Sequence, residues 1–284
     1  MVKAFLGMGL LGSNFVTAML EKGDKVRVWN RSPEKAAALE PLGAEVFATP
    51  ARAVQGAAFV HITLKDDQSV DEVLAAAETG LQPGTVIIDH TTTTKEGAIA
   101  RTAAWKEKGF TYIHAPVFMG PANAREGSGY MLVSGNRAAV EKVSPLLEKI
   151  TGQLVDLGPE EGKAAAMKLI GNCFLVAFTA GLRDTFALAG ALGQNTRDVG
   201  NLFEIWNPAQ MLPARIRRMS GGDYSKPSWE LAMARKDTQI FIDTVQQQGG
   251  HLAIMPAIAA LMDEWIAKGL GGNDWNVIAK DVVR

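Results

Sequence analysis

The chain has 284 residues, 47% hydrophobic and 21% charged, enough to bury a sizeable core across two domains and too apolar for a disordered or fibrous protein. A formal net charge of -1 removes the electrostatic reason to expect nucleic acid or an anionic membrane as a partner, so a small-molecule substrate is the expectation. The one cysteine, Cys173, excludes a disulfide framework within the chain and points to a reducing, cytoplasmic compartment.

In chain order, the opening "VKAFLGMG" lacks the apolar run and cleavage site of a secretory signal and is expected to start the fold as a strand. Strands are predicted at residues 2–7, 25–30, 58–64, 85–90 and 111–116, with helical stretches between them, an alternation that predicts parallel strands joined by crossover helices. In "SPEKAAALEPLG", Ser32 is the expected N-cap, Pro33 the first helical residue and Gly43 the stop. "YMLVSG" at 130–135 and "GQLVDLG" at 152–158 are expected to complete the sheet, with a helix in "NRAAVEKVSPLLEKI" between them.

From about residue 160 the pattern is helix upon helix, beginning with a run from near Glu161 to Leu192. Such a helix would span about 45 Å at 1.5 Å per residue, a length suited to a spine shared between domains or subunits. Asn172, Arg183 and Asp184 interrupt it, so no membrane-spanning run of about 18 apolar residues is expected. The predicted fold class is α/β: a Rossmann-type doubly wound sheet over 1–160 and an all-helical domain over 161–284, with the active site in the cleft between them.

"GMGLLG" follows the first strand and opens a helix, with Gly7, Gly9 and Gly12 in GxGxxG spacing. The first glycine permits a tight turn, the second a close backbone approach to pyrophosphate, and the third close packing of helix on strand. Gly7, Met8, Gly9, Leu10, Leu11 and Gly12 are therefore the candidate phosphate cradle, with helix-start amides meeting the phosphates. The second strand ends in "VWNRS", where Asn30 stands in place of the acid that usually holds NAD ribose hydroxyls. Arg31 and Ser32 beside it suit the 2′-phosphate of NADP, so NADP(H) is the expected cofactor and NAD(H) the lesser alternative. The bland reading leaves Arg31 solvated and Ser32 as a helix cap.

"GKAAAMKLIGNCF", residues 162–174, sets Lys168 among small and apolar residues with Asn172 four positions on, on the same helix face. Cys173 is expected to be a small buried hydrophobe. His61, His90 and His251 show no ligand spacing, so no metal site is expected. His114 is open between a structural role and a substrate contact.

With the glycine turn, "NRSP", "DHTTTT", "APVFMG", "KAAAMKLIGN" and "ARKD" in this order, the chain resembles the β-hydroxyacid dehydrogenases over essentially its whole length. That family includes 3-hydroxyisobutyrate dehydrogenase and tartronate semialdehyde reductase and extends, more remotely, to 6-phosphogluconate dehydrogenase and the imine reductases. The resemblance implies Lys168 as catalytic lysine, Asn172 as its partner and Lys236, next to Asp237, near the nicotinamide. It also implies that Leu64, Lys65 and Thr92 border the cofactor and that Asp274 is structural.

Where the family reads Asp-Ala-Pro-Val-Ser-Gly-Gly, this chain has "HAPVFMGP". His114 replaces the acid, Met119 a glycine, and Phe118 the serine whose hydroxyl helps hold a substrate carboxylate. Backbone N–H groups of Met119 and Gly120 remain as carboxylate donors, while Phe118, Met119 and Trp206 imply a more apolar pocket. The expected enzyme is an NADP-dependent dehydrogenase or reductase that interconverts a small aldehyde or ketone, such as a semialdehyde or keto acid, and its alcohol, with Lys168 as general acid and base. Imine reduction is one alternative, against which Lys168 stands; a non-enzymatic NADP-binding protein is another, against which Lys168, Asn172 and Lys236 stand. The long helix and the family imply a homodimer or homotetramer.

Overall fold

The computed structural model describes residues 2–283. The chain forms two compact units, residues 1–173 and 174–284.

In the first unit, apolar runs of four or five residues form the parallel strands β1 (Val2–Leu6), β2 (Lys25–Trp29), β4 (Phe59–Ile62), β5 (Val86–Asp89) and β6 (Thr111–His114), and a two-residue β3 (Glu45–Val46) adds an edge that the sequence pattern was too short to announce. Their order is β3-β2-β1-β4-β5-β6. Crossovers are α1 (Leu10–Glu21), α2 (Pro33–Ala37), α3 (Pro50–Val54), α4 (Asp67–Ala77) and α5 (Lys95–Glu107). Side chains alternate across the pleat: Phe5, Val86 and Ile88 join one buried cluster with Phe15 and Met19, whereas Leu6, Ile62 and Ile87 join another with Val70 and Leu74. Helices on both faces follow from strands that are apolar on both sides. Strand order reverses at β1, whose neighbours are β2 and β4, and that switch point is where such sheets bind ligands beyond their carboxyl ends.

The strands near 130 and 152 do not complete this sheet. β7 (Val117–Phe118), β8 (Tyr130–Val133) and β9 (Gln153–Asp156) form a separate three-stranded sheet, flanked by α6 (Pro121–Glu126) and α7 (Arg137–Leu147). Pro116 has no N–H to extend the β6 ladder, and its carbonyl accepts instead from the Leu132 amide of β8. The "SPEKAAALEPLG" helix is also shorter than expected: α2 stops at Ala37, and Pro41 sits in a separate 3-10 turn over Glu40–Leu42 before Gly43 at φ +100°.

The long helix α8 (Lys163–Ala191) has 29 residues. Its most apolar 18-residue stretch has mean hydropathy 1.6, so by length and composition it could cross a membrane despite Asn172, Arg183 and Asp184. The expectation of an interrupted run missed how far Ala, Leu and Phe outweigh three polar residues. The division between units falls inside α8, after Asn172 and Cys173, so Lys168 and Asn172 belong with the sheet. Cys173, expected to be buried, is exposed, one 100° step round the helix from Asn172.

The second unit adds α9 (Thr196–Ile205), α10 (Leu212–Gly221), α11 (Leu231–Gln247) and α12 (Met255–Trp265). Leu231, Ala234, Met262, Trp265 and Val277 form its core with Tyr224. Two buried carboxylates tie its ends. Asp184 accepts the amides of Ala253, Ile254 and Met255 at the start of α12. Asp274 accepts from Arg218, Ser228 and Asn276; burial alone would raise its carboxyl, but these bonds outweigh it and hold the group at about 2.

Candidate functional site

The glycine turn divides its labour. The Gly7 amide donates to the Trp29 carbonyl at 2.9 Å, which folds the turn against the end of β2. Gly7 has φ +102°, and a Cβ there would stand 2.1 Å from the Thr63 carbonyl oxygen; one on Gly12 would stand 1.9 Å from the Gly7 carbonyl oxygen. Both glycines are demanded by the protein's own backbone. Gly9 differs, because an added Cβ would meet nothing within 4 Å and the residue lines a cleft of about 590 Å³. Gly9 is also the N-cap of α1, with no side-chain cap and no acid in the first turn, so the helix-start amides stay available to an anion.

Asn30 is placed on the cleft wall with its carboxamide already engaged. Oδ1 accepts from the Met8 amide at 2.8 Å and Nδ2 donates to the Ser32 carbonyl at 2.8 Å, so Asn30 locks the glycine turn to the edge of β2. Beyond it Arg31 reaches into solvent, 3.6 Å from Glu72, and Ser32 holds the N-cap position of α2 without a side-chain capping bond, which leaves its hydroxyl free. Lys35 lines the same end of the cleft and was missed from sequence. Its signal was the three-residue step from Ser32, one helical turn.

The ends of β4 and β5 supply another wall. The Leu64 amide donates to Thr91 Oγ1 at 3.0 Å, joining the two loops, while Lys65 is exposed beside Asp66. Thr63, His90 and Thr91 line the cleft along with the expected Leu64, Lys65 and Thr92. All three stand at carboxyl ends of parallel strands, a rule that could have found them. Thr63 Oγ1 is buried with no hydrogen-bond partner among the described residues. An open Gly9, free helix-start amides and an unpaired hydroxyl fit a dinucleotide.

Beneath this wall lies a buried polar scaffold. Asp89 accepts the Thr91 amide at 2.8 Å and the Tyr112 hydroxyl at 2.6 Å, and Arg101 Nε donates to that hydroxyl at 3.1 Å. His114 Nε2 lies 2.8 Å from the Thr91 carbonyl, so this buried histidine holds the threonine loop rather than lining the cleft. His90 Nδ1 meets the Ala115 carbonyl at 2.8 Å, which requires a proton on Nδ1; Nε2 then accepts from His61 Nδ1 at 3.0 Å. Both rings are neutral, since burial drives His61 well down and lowers His90 to about 4.

Lys168 occupies the wall next to Val117 and Met119. Its residue is 8% exposed, Nζ donates to Asn172 Oδ1 at 2.9 Å, and burial lowers its proton affinity from the ordinary lysine value. Phe118, expected in the substrate pocket, does not line the cleft; its ring packs on α8 at Gly171, with Lys168 Nζ 4.3 Å from the ring centre. The Gly120 amide, expected as a carboxylate donor, is spent on Asn123 Oδ1 at 2.9 Å as part of the α6 cap. Lys236 and Trp206 lie in the second unit, where Lys236 Nζ is 3.0 Å from Asp237 on α11 and Trp206, exposed at the end of α9, packs on Phe203.

The family model described as the NAD binding domain of 6-phosphogluconate dehydrogenase matches residues 3–158. An uncharacterized oxidoreductase, YfjR, of Bacillus subtilis is 25% identical over 280 residues, covering 98% of each chain. A 3-sulfolactaldehyde reductase of Escherichia coli is 27% identical over 293 residues, covering 98% of this chain and 95% of its own. Among solved structures, an imine reductase from Myxococcus stipitatus in complex with NADP+ superposes with a TM-score of 0.89 over 99% of both chains at 20% identity, a likeness of fold.

Proposed function

The chain belongs to the family of the 6-phosphogluconate dehydrogenase NAD binding domain, among the β-hydroxyacid dehydrogenase-like NAD(P)-dependent oxidoreductases, and from this premise we propose that it reduces a small aldehyde or ketone with NADPH, using Lys168 as proton donor. The observation that carries the reading is the Lys168 ammonium. It is buried, donates to Asn172 Oδ1 as its one hydrogen-bond acceptor among the described residues, and shares a cleft with the glycine turn.

When bound, the dinucleotide supplies a hydride to the carbonyl carbon. The chain's own part is the proton. A Lys168 N–H meets the carbonyl oxygen as negative charge develops there and then transfers its proton, while Asn172 Oδ1 holds another N–H and sets the direction of Nζ. Burial lowers the proton affinity of Lys168, which eases release in reduction and makes the neutral amine accessible for the reverse oxidation.

Three groups support NADPH over NADH: Arg31, the uncapped Ser32 hydroxyl and Lys35, with Asn30 in place of a carboxylate that would repel a 2′-phosphate. Val117 and Met119 on the wall, and the engaged Gly120 amide, favour a carbonyl with an apolar substituent over a carboxylate-bearing one. The aldehyde named for the Escherichia coli relative agrees with carbonyl reduction as the class. Imine reduction is the second reading, favoured by the same apolar wall, and Lys168 as a built proton donor for an oxygen weighs against it. A homodimer or homotetramer is supported by α8, which exposes Ile170, Phe174 and Phe178 at four-residue spacing along one face; a monomer mass by light scattering would remove it.

The test is Lys168→Ala. NADPH affinity by fluorescence titration is expected to stay near that of the parent, while kcat on the best substrate from a panel of aldehydes, ketones, keto acids and cyclic imines falls about 10² to 10⁴-fold. Lys168→Arg is expected not to rescue, since guanidinium keeps its proton. Turnover within about threefold of the parent refutes the role, being worth less than 1 kcal/mol.

A further inference from the structure

The cleft residues assigned above leave Phe118 without a part, yet its placement is specific. β7 carries the ring onto α8 at a point where the helix has no side chain: a Cβ at Gly171 would stand 2.4 Å from Phe118 Cζ. The ring then faces Lys168, whose Nζ is 4.3 Å from its centre. An ammonium has three N–H donors, and among the described residues one finds an acceptor, Asn172. The negative face of an aromatic ring stabilises a cation without accepting its proton in a strong hydrogen bond.

We infer that Phe118 is a positioning residue for Lys168: its ring face holds the buried ammonium charged and leaves an N–H directed at the cleft, and Gly171 lacks a side chain to admit the ring. This rests on Lys168 as the proton donor only for its catalytic consequence. A hydroxyl at 118 would accept a hydrogen bond from a lysine N–H and compete with the substrate oxygen; a carboxylate would pair with the ammonium and hold it. A ring does neither, and its attraction offsets part of the cost of burial. The other titratable groups on this cleft are His90, Lys65, Lys35 and Arg31, and burial is what lowers the proton affinity of Lys168 against the hold of the ring.

Removing the ring while keeping the burial disfavours the ammonium, so the Lys168 midpoint falls. The probe is the Cε resonance of Lys168 in lysine-labelled protein, identified by its loss in Lys168→Met, followed against pH without cofactor or substrate. Phe118→Leu is expected to lower the midpoint by about one pH unit. 3,5-Difluorophenylalanine at position 118 keeps the shape and weakens the ring's negative face, so it is expected to give a smaller drop in the same direction. Gly171→Ala, which displaces the ring, is expected to follow Phe118→Leu. A midpoint in the difluoro protein within about 0.2 pH units of the parent overturns the inference, whatever Phe118→Leu does, because packing alone would then explain the leucine variant. Alongside, the basic limb of kcat for carbonyl reduction is expected to move to lower pH with the midpoint. A shifted resonance with an unmoved limb supports the ring's hold on Lys168 and refutes Lys168 as the proton donor, so the two failures are told apart.

Discussion

Alanine at each glycine of the turn in turn separates the backbone's needs from the ligand's. At Gly12 the new Cβ would stand 1.9 Å from the Gly7 carbonyl oxygen, where ordinary contact begins at 3.4 Å, so helix and turn must part. Overpacking of this kind costs about 1–3 kcal/mol, or about 3–10 °C of thermal midpoint in a chain of this size. Gly7→Ala adds the strain of φ +102° to a 2.1 Å overlap with Thr63 and is expected to cost at least as much. Gly9 lies at φ -75° and ψ -173°, open to alanine, with nothing within 4 Å of the new atom. The loss of a favourable N-cap glycine and the reduced freedom of the unfolded chain offset each other to within about 1 kcal/mol. Yet Gly9 lines the cleft, and on the proposed placement of the pyrophosphate against its backbone a methyl group there is expected to raise the NADPH Kd at least tenfold, about 1.4 kcal/mol. Differential scanning fluorimetry reads the first quantity and nucleotide fluorescence titration the second. Gly9→Ala that melts near the parent and binds weakly supports the assignment; Gly9→Ala with a Kd within about twofold of the parent refutes it.

Arg31→Ala and Lys35→Ala are each expected to reduce the preference for NADPH over NADH, together by about tenfold or more, with NADH affinity nearly unchanged; equal affinities in the parent would reject the 2′-phosphate site. Folded His90 takes its proton only near about 4, against 6.5 for the ordinary group, so the unfolded chain binds more protons between these values and stability falls as pH drops through that window. Urea denaturation from pH 7.5 to 4.5 is expected to show about 2.5 kcal/mol lost from His90, and a flat profile would contradict its buried, neutral state. Asp274 runs at lower pH: its stabilisation is present above the ordinary carboxyl value of 3.8 and is lost as pH falls through about 2, so urea denaturation of the parent is expected to lose about 2 kcal/mol from this group on going from neutral pH to about pH 2, a loss absent in Asp274→Asn.

The sequence by itself determined the alternation of strand and helix through the first unit, the glycine turn between β1 and α1, and the shared helix face of Lys168 and Asn172. Each depends on residues close in the chain, where periodicity and turn chemistry act directly. Tertiary structure decided which strands share a sheet: β8 and β9 have ordinary strand sequences, and only the turn after β6 at Pro116 sends them to a sheet of their own. It also decided which polar groups remained free. Asn30, Gly120 and His114 were read as cofactor, substrate or open positions, and the structure engages Asn30 Oδ1 with Met8, the Gly120 amide with Asn123 and His114 Nε2 with Thr91. Thr63, His90 and Thr91 reach the cleft because parallel strands bring their carboxyl ends together from distant parts of the chain. Phe118 shows the limit most clearly. Its identity was visible as a departure from the family pattern, but its contact with Lys168 and Gly171 spans about 50 residues of chain and forms only when β7 packs on α8. Local patterns record what neighbours in sequence require, whereas a hydrogen bond or a ring face spent on a distant residue leaves no mark there.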